Sequence, residues 1–246
     1  MKTVLVLGAN SGMAKALIRK LAGPDNRLIL ASRNTAELRK TAADAAVRNQ
    51  GPEPLVMGFD ALRPDTHDRF VQEVMRKVKA VDEVYLFFGI LHPQEEAQKD
   101  FSLVQDMLAA NFTGAVSVLE RLVPHLERRK QGLIVGVSSV AGDRGRQSNY
   151  YYGSAKAGFS AYLQGLRNRL YKSRVRVLTV KPGFVDTPMT RHLKKGLLFA
   201  SAETIAAGII RAVKQGRDVV YLPGYWRWIM LIVRSIPESM FKRLSM

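Results

Sequence analysis

Residues 2–14, "KTVLVLGANSGMA", decide the fold class of this chain. A run of β-branched and other apolar residues ends at Gly8, and the turn that follows leads into a segment with helical apolar spacing. Glycines at such a turn let backbone N–H groups approach a phosphate at the positive end of a helix. The turn lacks the Gly-Lys-Ser/Thr sequence of a P-loop. We therefore expect it to bind a dinucleotide after the first strand of a βαβ unit.

The rest of the chain repeats this alternation of short apolar runs and longer amphipathic stretches. The apolar runs occupy 3–7, 27–32, 54–59, 83–88, 132–139, 175–183 and 218–223. Segments with helical spacing lie at 12–22, 34–50, 65–80, 98–126 and 150–172. Strands that are apolar on both faces and alternate with helices are typical of a parallel sheet covered on both sides. The prediction is a doubly wound α/β fold with a mostly parallel seven-stranded sheet.

Length and composition limit the other classes. A chain of 246 residues suits one domain, which we place at 1–223, followed by an amphipathic segment at 224–246. The absence of cysteine excludes disulfides and thiolate chemistry, and the four histidines show no metal-ligand spacing. We therefore expect no bound metal. No apolar stretch has the length of a signal peptide or a bilayer span, so we expect a cytoplasmic protein.

The charge is strongly basic and unevenly distributed. Basic and acidic residues balance over 1–120, so the whole net charge of +17 belongs to the second half. A field of this sign attracts an anionic partner, which leaves nucleic acid, anionic lipid and a phosphorylated substrate open, beside a merely soluble basic surface. A nucleic-acid partner is not expected, because the sequence has no recognition helix or zinc module.

The end of the second apolar run indicates which dinucleotide is bound. NAD sites usually place an acidic residue there to hold the ribose 2′-hydroxyl, whereas this chain has Ser32 and Arg33. A guanidinium suits a 2′-phosphate. The sequence therefore predicts NADP(H), although an arginine at this position is also compatible with a solvated surface residue.

The stretch "NYYYGSAKAG", residues 149–158, contains a candidate acid/base pair. Lys156 lies four residues after Tyr152, so both share one helix face, whereas Tyr150 and Tyr151 have no basic residue at that offset. A nearby ammonium favours the phenolate and should lower the pKa of Tyr152. The same spacing also occurs by chance on exposed helix faces.

These motifs, taken in order, resemble the short-chain dehydrogenase/reductase family. The resemblance rests on "GANSGMA", Asp60, "NFTG" at 111–114, "SSVAG" at 138–142, "YYGSAK" and "KPGFVDTPM" at 181–189. It implies a Rossmann fold and hydride transfer between a nicotinamide and a ketone or secondary alcohol. It also implies four catalytic residues, with Tyr152 as the acid, Ser139 on the substrate carbonyl, Lys156 on the nicotinamide ribose and Asn111 holding a water in a proton relay.

The resemblance also implies a set of cofactor-binding residues. Besides Tyr152 and Lys156 these are Gly8, Asn10, Ser11, Gly12, Met13, Ser32, Arg33, Asp60, Ala61, Gly89, Pro182, Gly183, Val185 and Thr187. We expect Ser138, next to Ser139, to be structural. One departure is "LFFG" at 86–89, where the family usually has Asn-Asn-Ala-Gly. Gly89 is kept, and Phe87 and Phe88 are expected to brace this region by packing.

The substrate side carries further basic and aromatic residues. "GDRGR" at 142–146 and "TRHLKK" at 190–195 follow the fifth and sixth strands, and the C-terminal stretch combines two tryptophans with several arginines. A lid, a subunit contact and a helix at 225–243 lying on an anionic membrane at its inner surface are all compatible with that stretch. A narrower resemblance, to the decaprenylphosphoryl 2-keto-pentose reductases, implies a bulky, lipid-linked keto-sugar substrate.

Two further readings of the sequence remain open. The first is a non-catalytic NADP-binding scaffold, against which the candidate acid/base pair argues, because a scaffold needs no phenol with a shifted pKa. The second is a basic membrane- or nucleic-acid-binding protein, which the net charge of the chain would favour. The segments at 98–126 and 150–172 resemble those through which the family forms dimers and tetramers, so a homo-oligomer is expected.

Overall fold

The computed structural model describes residues 1–49, 52–191 and 195–244. Its single sheet has seven strands in the order β3-β2-β1-β4-β5-β6-β7, and every neighbouring pair is parallel. The strands are β1 Lys2–Leu7, β2 Asn26–Ser32, β3 Leu55–Gly58, β4 Glu83–Leu86, β5 Gly132–Val137, β6 Val175–Pro182 and β7 Val219–Leu222. The predicted doubly wound sheet is confirmed, and it is wholly parallel.

Helices cover both faces of the sheet. They are α1 Gly12–Leu21, α2 Thr35–Asn49, α3 His67–Lys77, α4 Gln94–Lys99, α5 Phe101–Leu108, α6 Gly114–Arg129, α7 Tyr150–Leu170, α8 Ala202–Lys214, α9 Trp226–Ser235 and α10 Glu238–Phe241. Helices α3, α6 and α7 build the core on one face, and α1, α2 and α8 build it on the other. Because strand side chains alternate between faces, Leu5 joins the first core and Val6 the second.

The strand order reverses between β1 and β4, which places the chain crossovers on opposite sides of that pair. At such a switch point the loops after the two strands separate and leave a crevice at their carboxyl ends. The loop at Gly8 follows β1, and Phe87, Phe88 and Gly89 follow β4.

The segment predicted as one helix over 98–126 is divided in the structure. Helix α5 begins after Asp100, whose side chain accepts a hydrogen bond of 2.9 Å from the Ser102 N–H. A π-helical turn, Ala109–Thr113, joins α5 to α6. π-Turns insert an extra residue into a helix and are frequent at functional sites.

The C-terminal segment folds back onto the sheet rather than standing apart from it. Trp226, Met230 and Val233 of α9 cluster with Val140 and with Phe241 of α10. The Trp226 indole lies directly on the Gly183 backbone, where a Cβ would overlap it. None of the helices in the described ranges combines the length and the hydropathy needed to cross a membrane.

Candidate active site

A cleft of about 460 Å³ opens where β1 and β4 end. Gly8 begins its floor with φ of 75°, and a Cβ on this residue would collide with the Phe88 backbone. Most of the predicted cofactor residues line the cleft, namely Gly8, Asn10, Ser11, Gly12, Met13, Ser32, Arg33, Asp60, Ala61, Gly89 and Thr187. The structure therefore brings together residues that follow the ends of five strands, β1, β2, β3, β4 and β6.

Helix α1 presents its amino terminus to this cleft. Ser11 occupies the N-cap position in an extended conformation, but its side chain makes no capping hydrogen bond, and the first turn contains no acidic residue. The first backbone N–H groups of α1 therefore have no side-chain acceptor in the described part of the chain, and the helix dipole adds partial positive charge. Such an end is suited to a phosphate group.

Asn10 connects this turn to the loop after β2. Its Nδ2 donates to Ser32 Oγ over 3.1 Å and to the Asn34 carbonyl over 2.9 Å. Its Oδ1 is buried and has no partner among the described residues. These bonds fix Ser32 and Arg33 at the rim of the cleft. Arg33 is exposed and forms no ion pair within the described part of the chain, so its guanidinium is free to bind an anion.

A buried network holds the turn at Asp60. The Asp60 carbonyl lies 2.9 Å from Nε2 of His67, which must donate because a carbonyl only accepts. Nδ1 of His67 therefore accepts from the Ser117 hydroxyl 3.0 Å away, and Arg121 donates to the same hydroxyl. Burial lowers the pKa of His67, which favours this neutral form. No sequence motif indicated His67, because its two hydrogen-bond partners lie far from it or from each other in the chain, in the loop after β3 and in α6.

The residues that depart from the family pattern have the expected packing role. Phe87 is buried in the core between the sheet and α1, and the Phe88 ring lies 5.5 Å from that of Phe59. The prediction that they brace the region is confirmed. Both residues also line the cleft, together with Phe59, Leu62, Ile90 and Ala110, which lie outside the motifs, and with Pro188 and Met189, which end the stretch at 181–189 but were not among the predicted site residues. Phe59, Leu62 and Ile90 follow the ends of β3 and β4, and that position was the signal that could have found them.

A second pocket, of about 120 Å³, adjoins the cleft and contains the candidate acid. Tyr152 from α7 and Ser139 from the loop after β5 both line it. Pro182, Gly183 and Val185, which were expected to contact the cofactor, line this pocket and not the cleft. Met13, Thr187 and Met189 border both spaces, so the two form one continuous site.

Neighbouring bonds orient the two serines differently. Ser139 Oγ accepts from the Ala141 N–H over 3.1 Å, which leaves its own proton available to a ligand. Ser138 is buried, and its hydroxyl donates to the Lys156 carbonyl over 3.0 Å and lies 2.7 Å from Ser160 Oγ. The prediction that Ser138 is structural is confirmed, since it attaches α7 to the end of β5.

The pKa of the candidate acid is not shifted as the spacing predicted. Burial raises the pKa of Tyr152 to about 12, and hydrogen bonding to Ser139 only partly opposes this. Burial also lowers the pKa of Lys156 to about 8. The predicted net lowering of the Tyr152 pKa is wrong for this structure, because desolvation of the phenol raises the pKa by more than neighbouring groups lower it.

Lys156 and Asn111 meet beside Gly89. Lys156 is buried and its Nζ donates to the Val137 carbonyl over 3.1 Å. Asn111, at the centre of the π-turn, donates through Nδ2 to the carbonyls of Ile90 and Met107 over 2.6 and 2.8 Å. Its Oδ1 is buried without a partner among the described residues. A Cβ on Gly89 would lie 2.5 Å from that oxygen and 3.5 Å from Lys156 Nζ.

The basic residues predicted at the substrate mouth have different surroundings. Arg144 donates to the carbonyls of Arg234 and Ile236 and pairs with Glu238 at 2.7 Å, so it holds the C-terminal segment. Lys195 pairs with Asp186 on the surface. Residues 192–194 of the predicted basic stretch lie outside the described residues. Arg146 alone of the "GDRGR" arginines lines the second pocket.

A nicotinamide dinucleotide suits these surroundings. The uncapped end of α1 and the unpaired Arg33 offer two positions for phosphate groups. The space beside Gly89, which a Cβ would fill, lies between two polar groups and next to Tyr152. The donors are nitrogen and hydroxyl groups of the kind that bind phosphate and ribose oxygens.

Comparison with known proteins agrees with the geometry. The family model for short chain dehydrogenases matches residues 2–197. An uncharacterised oxidoreductase of Streptomyces coelicolor is 34% identical over 244 residues, which cover 99% of this chain and 96% of the relative.

Solved structures share the fold. An alcohol dehydrogenase from the archaeon Thermococcus sibiricus, complexed with 5-hydroxy-NADP, aligns with a TM-score of 0.79 at 21% identity, over 97% of this chain and 99% of that one. A variant of the actinorhodin polyketide ketoreductase with NADPH aligns with a TM-score of 0.80 at 19% identity, over 91% and 96% of the two chains. The chain described here belongs to the short-chain dehydrogenase family of oxidoreductases.

Proposed function

We propose that this oxidoreductase is an NADP(H)-dependent reductase of a ketone, with Tyr152 as the proton donor. The observation that carries the proposal is that Tyr152 and Ser139 line a pocket continuous with a cleft suited to a dinucleotide. The reverse reaction, oxidation of a secondary alcohol, uses the same groups.

The reaction requires a proton donor and a group that stabilises a developing alkoxide. Bound NADPH supplies the hydride to the carbonyl carbon. The Ser139 hydroxyl donates to the carbonyl oxygen, since its lone pair is already engaged by the Ala141 N–H. With its pKa at about 12, the Tyr152 phenol is protonated at neutral pH and delivers its proton as negative charge develops on that oxygen.

Lys156 and Asn111 support the return of a proton to Tyr152 after the transfer. The Lys156 ammonium lies 5.7 Å from the centre of the Tyr152 ring and stabilises the phenolate that remains after transfer. Asn111 Oδ1 can accept a hydrogen bond from a water, because Nδ2 of the same amide is committed to two carbonyls. Such a water, held by Asn111, would connect the Lys156 ammonium to solvent.

The remaining predicted residues hold the cofactor. The amino terminus of α1 receives the pyrophosphate, Arg33 binds the 2′-phosphate, and Asp60 contacts the adenine. NADP(H) is preferred over NAD(H) because the end of β2 presents an unpaired arginine and no carboxylate.

The substrate we propose is bulky, and a lipid-linked keto-sugar of the kind reduced by the decaprenylphosphoryl 2-keto-pentose reductases agrees with the basic second half of the chain.

Helix α9 supports contact with an anionic membrane. Trp228, Leu231 and Ile232 are between 56% and 67% exposed, and Arg227 and Arg234 lie beside them. A homodimer or homotetramer through α5, α6 and α7 completes the proposal.

Fluorescence titration with NADPH and NADH tests the central claim. Wild-type protein should bind NADPH more tightly, and Arg33→Ala should remove most of that difference without changing NADH binding. Arg39→Ala removes a different exposed arginine, which lies in α2. It is the matched control and should behave as wild type. If neither nucleotide binds the wild-type protein, the proposed function is wrong.

A further inference from the structure

The second pocket contains one charged side chain. Among the described residues that line it, only Arg146 carries a charge at neutral pH; the others are apolar residues, serines, threonines, a tyrosine and an asparagine. Arg146 comes from the loop after β5, as does Ser139. The positive charge of Arg146 therefore lies in the same pocket, of about 120 Å³, as the proposed proton donor Tyr152.

The Arg146 guanidinium has little compensation from the protein. Its Nη2 lies 3.4 Å from the Val140 carbonyl, which is long for an N–H···O bond, and 3.4 Å from Met230 Sδ, which is a weak acceptor. Its Nε is buried with no partner among the described residues, and burial lowers its pKa. A buried N–H of a guanidinium without an acceptor is unfavourable unless a ligand supplies one.

The nearby carboxylate is already occupied. Asp143 pairs with Lys181 through Oδ1 and accepts a hydrogen bond of 2.7 Å from the Tyr221 hydroxyl through Oδ2. Arg144, two residues before Arg146, has by contrast a full set of partners for its guanidinium. They are two backbone carbonyls, the Glu238 carboxylate and the Phe241 ring.

Asn149 adds a neutral polar atom to the same wall. It lines the pocket, and its Oδ1 is buried without a partner among the described residues. The pocket thus presents a free N–H donor on Arg146 and a free acceptor on Asn149, close to the Ser139 and Tyr152 hydroxyls. A neutral apolar ketone would leave both atoms unpaired, which costs binding energy.

We propose that Arg146 is an anion-binding residue of the substrate pocket, and that the substrate is a ketone bearing a carboxylate or phosphate group within a few bonds of its carbonyl. This inference rests on the proposed reductase function and names the chemical class of its substrate. Arg146 donates through Nε and Nη to the anionic oxygens, and the Asn149 amide accepts from a hydroxyl of the same molecule. The small pocket volume keeps the anion near the reacting carbonyl.

Calorimetric titration of NADP⁺-saturated protein with inorganic phosphate and with levulinate tests the site without turnover, because the oxidised cofactor has no hydride to transfer. Saturation with NADP⁺ removes the nucleotide cleft from competition. Arg146→Gln should weaken anion binding at least tenfold, while Arg76→Gln, an exposed arginine in the last turn of α3, should leave it unchanged. Arg146→Lys, which keeps the charge but not the planar fork, should bind with intermediate affinity.

Turnover then tests the specificity. We expect wild-type kcat/KM to favour levulinate over methyl levulinate and dihydroxyacetone phosphate over dihydroxyacetone, and Arg146→Gln to reduce each preference at least tenfold. No anion binding by the wild-type protein, or equal binding by Arg146→Gln, overturns the inference. If Tyr152→Phe leaves turnover intact the reductase proposal is wrong, whereas Tyr152-dependent turnover with unchanged charge preference in Arg146→Gln removes this inference alone.

Discussion

Lys156 and Tyr152 lie one helical turn apart in α7, and Lys156 Nζ is 5.7 Å from the centre of the Tyr152 ring. Burial makes the charged form of each residue less favourable, raising the pKa of Tyr152 to about 12 and lowering that of Lys156 to about 8. Below about pH 8, the pair is therefore a neutral phenol beside an ammonium, which is the state that proton donation to an alkoxide requires.

Replacing the phenol should abolish reduction without affecting nucleotide binding. Tyr152→Phe keeps the ring that packs against the cluster of Ala97, Val104 and Met107 but removes the proton donor. We expect kcat with a reducible ketone to fall by about 10² to 10⁴-fold, since general acid catalysis supplies that factor. Stopped-flow absorbance measures turnover and fluorescence titration measures NADPH affinity. Tyr151→Phe, the neighbouring phenol, is the control and should retain activity.

The desolvated ammonium predicts a pH-dependent stability difference. The pKa of Lys156 is lower in the folded protein than the ordinary 10.5, so its burial penalty is complete below about pH 8 and disappears as the pH rises to 10.5. Wild-type protein should therefore gain roughly 3 kcal/mol of unfolding free energy relative to Lys156→Met between pH 7 and pH 10.5. Urea unfolding at both pH values measures this. The lost bond to Val137 contributes equally at both, so a constant difference would contradict the prediction.

Lys181 and Asp143 form an ion pair with side-chain exposures of 14% and 3%. Lys181→Met leaves the Asp143 carboxylate buried, with the Tyr221 hydroxyl as its remaining hydrogen-bond donor among the described residues. We expect a loss of about 3 to 5 kcal/mol in unfolding free energy, because an unpaired buried charge remains. Lys195→Met breaks an exposed pair with Asp186 and should cost less than about 1 kcal/mol. Equal losses in the two variants would show that burial does not decide the effect.

The exposed apolar face of α9 predicts binding to anionic vesicles. Trp228 and Ile232 are 63% and 67% exposed, so Trp228→Ser and Ile232→Ser should leave the fold intact. Flotation with phosphatidylglycerol vesicles should decrease in both variants and at high salt, since burial of apolar area and attraction to anionic lipid act together. Phe101→Ser removes an equally exposed aromatic residue elsewhere and should float as wild type. Unchanged flotation of the α9 variants would exclude this contact.

The local sequence pattern determined the sheet and part of the site. Seven apolar runs separated by amphipathic segments predicted the strands, because period and length distinguish a buried parallel strand from a surface helix. The four-residue spacing placed Tyr152 and Lys156 on one face of α7, and Arg33 followed β2 directly. Each of these inferences depends on residues close together in the chain.

Tertiary structure alone decided what depends on distant neighbours. The direction of the Tyr152 pKa shift follows from desolvation, which the spacing to Lys156 does not reveal. Arg144 and Arg146 are two residues apart in the same loop. Arg144 nevertheless donates to a backbone carbonyl of the C-terminal segment, whereas Arg146 lines the second pocket. Charge and residue type are properties of the sequence, whereas burial and the choice of partner arise only when elements from across the chain pack together.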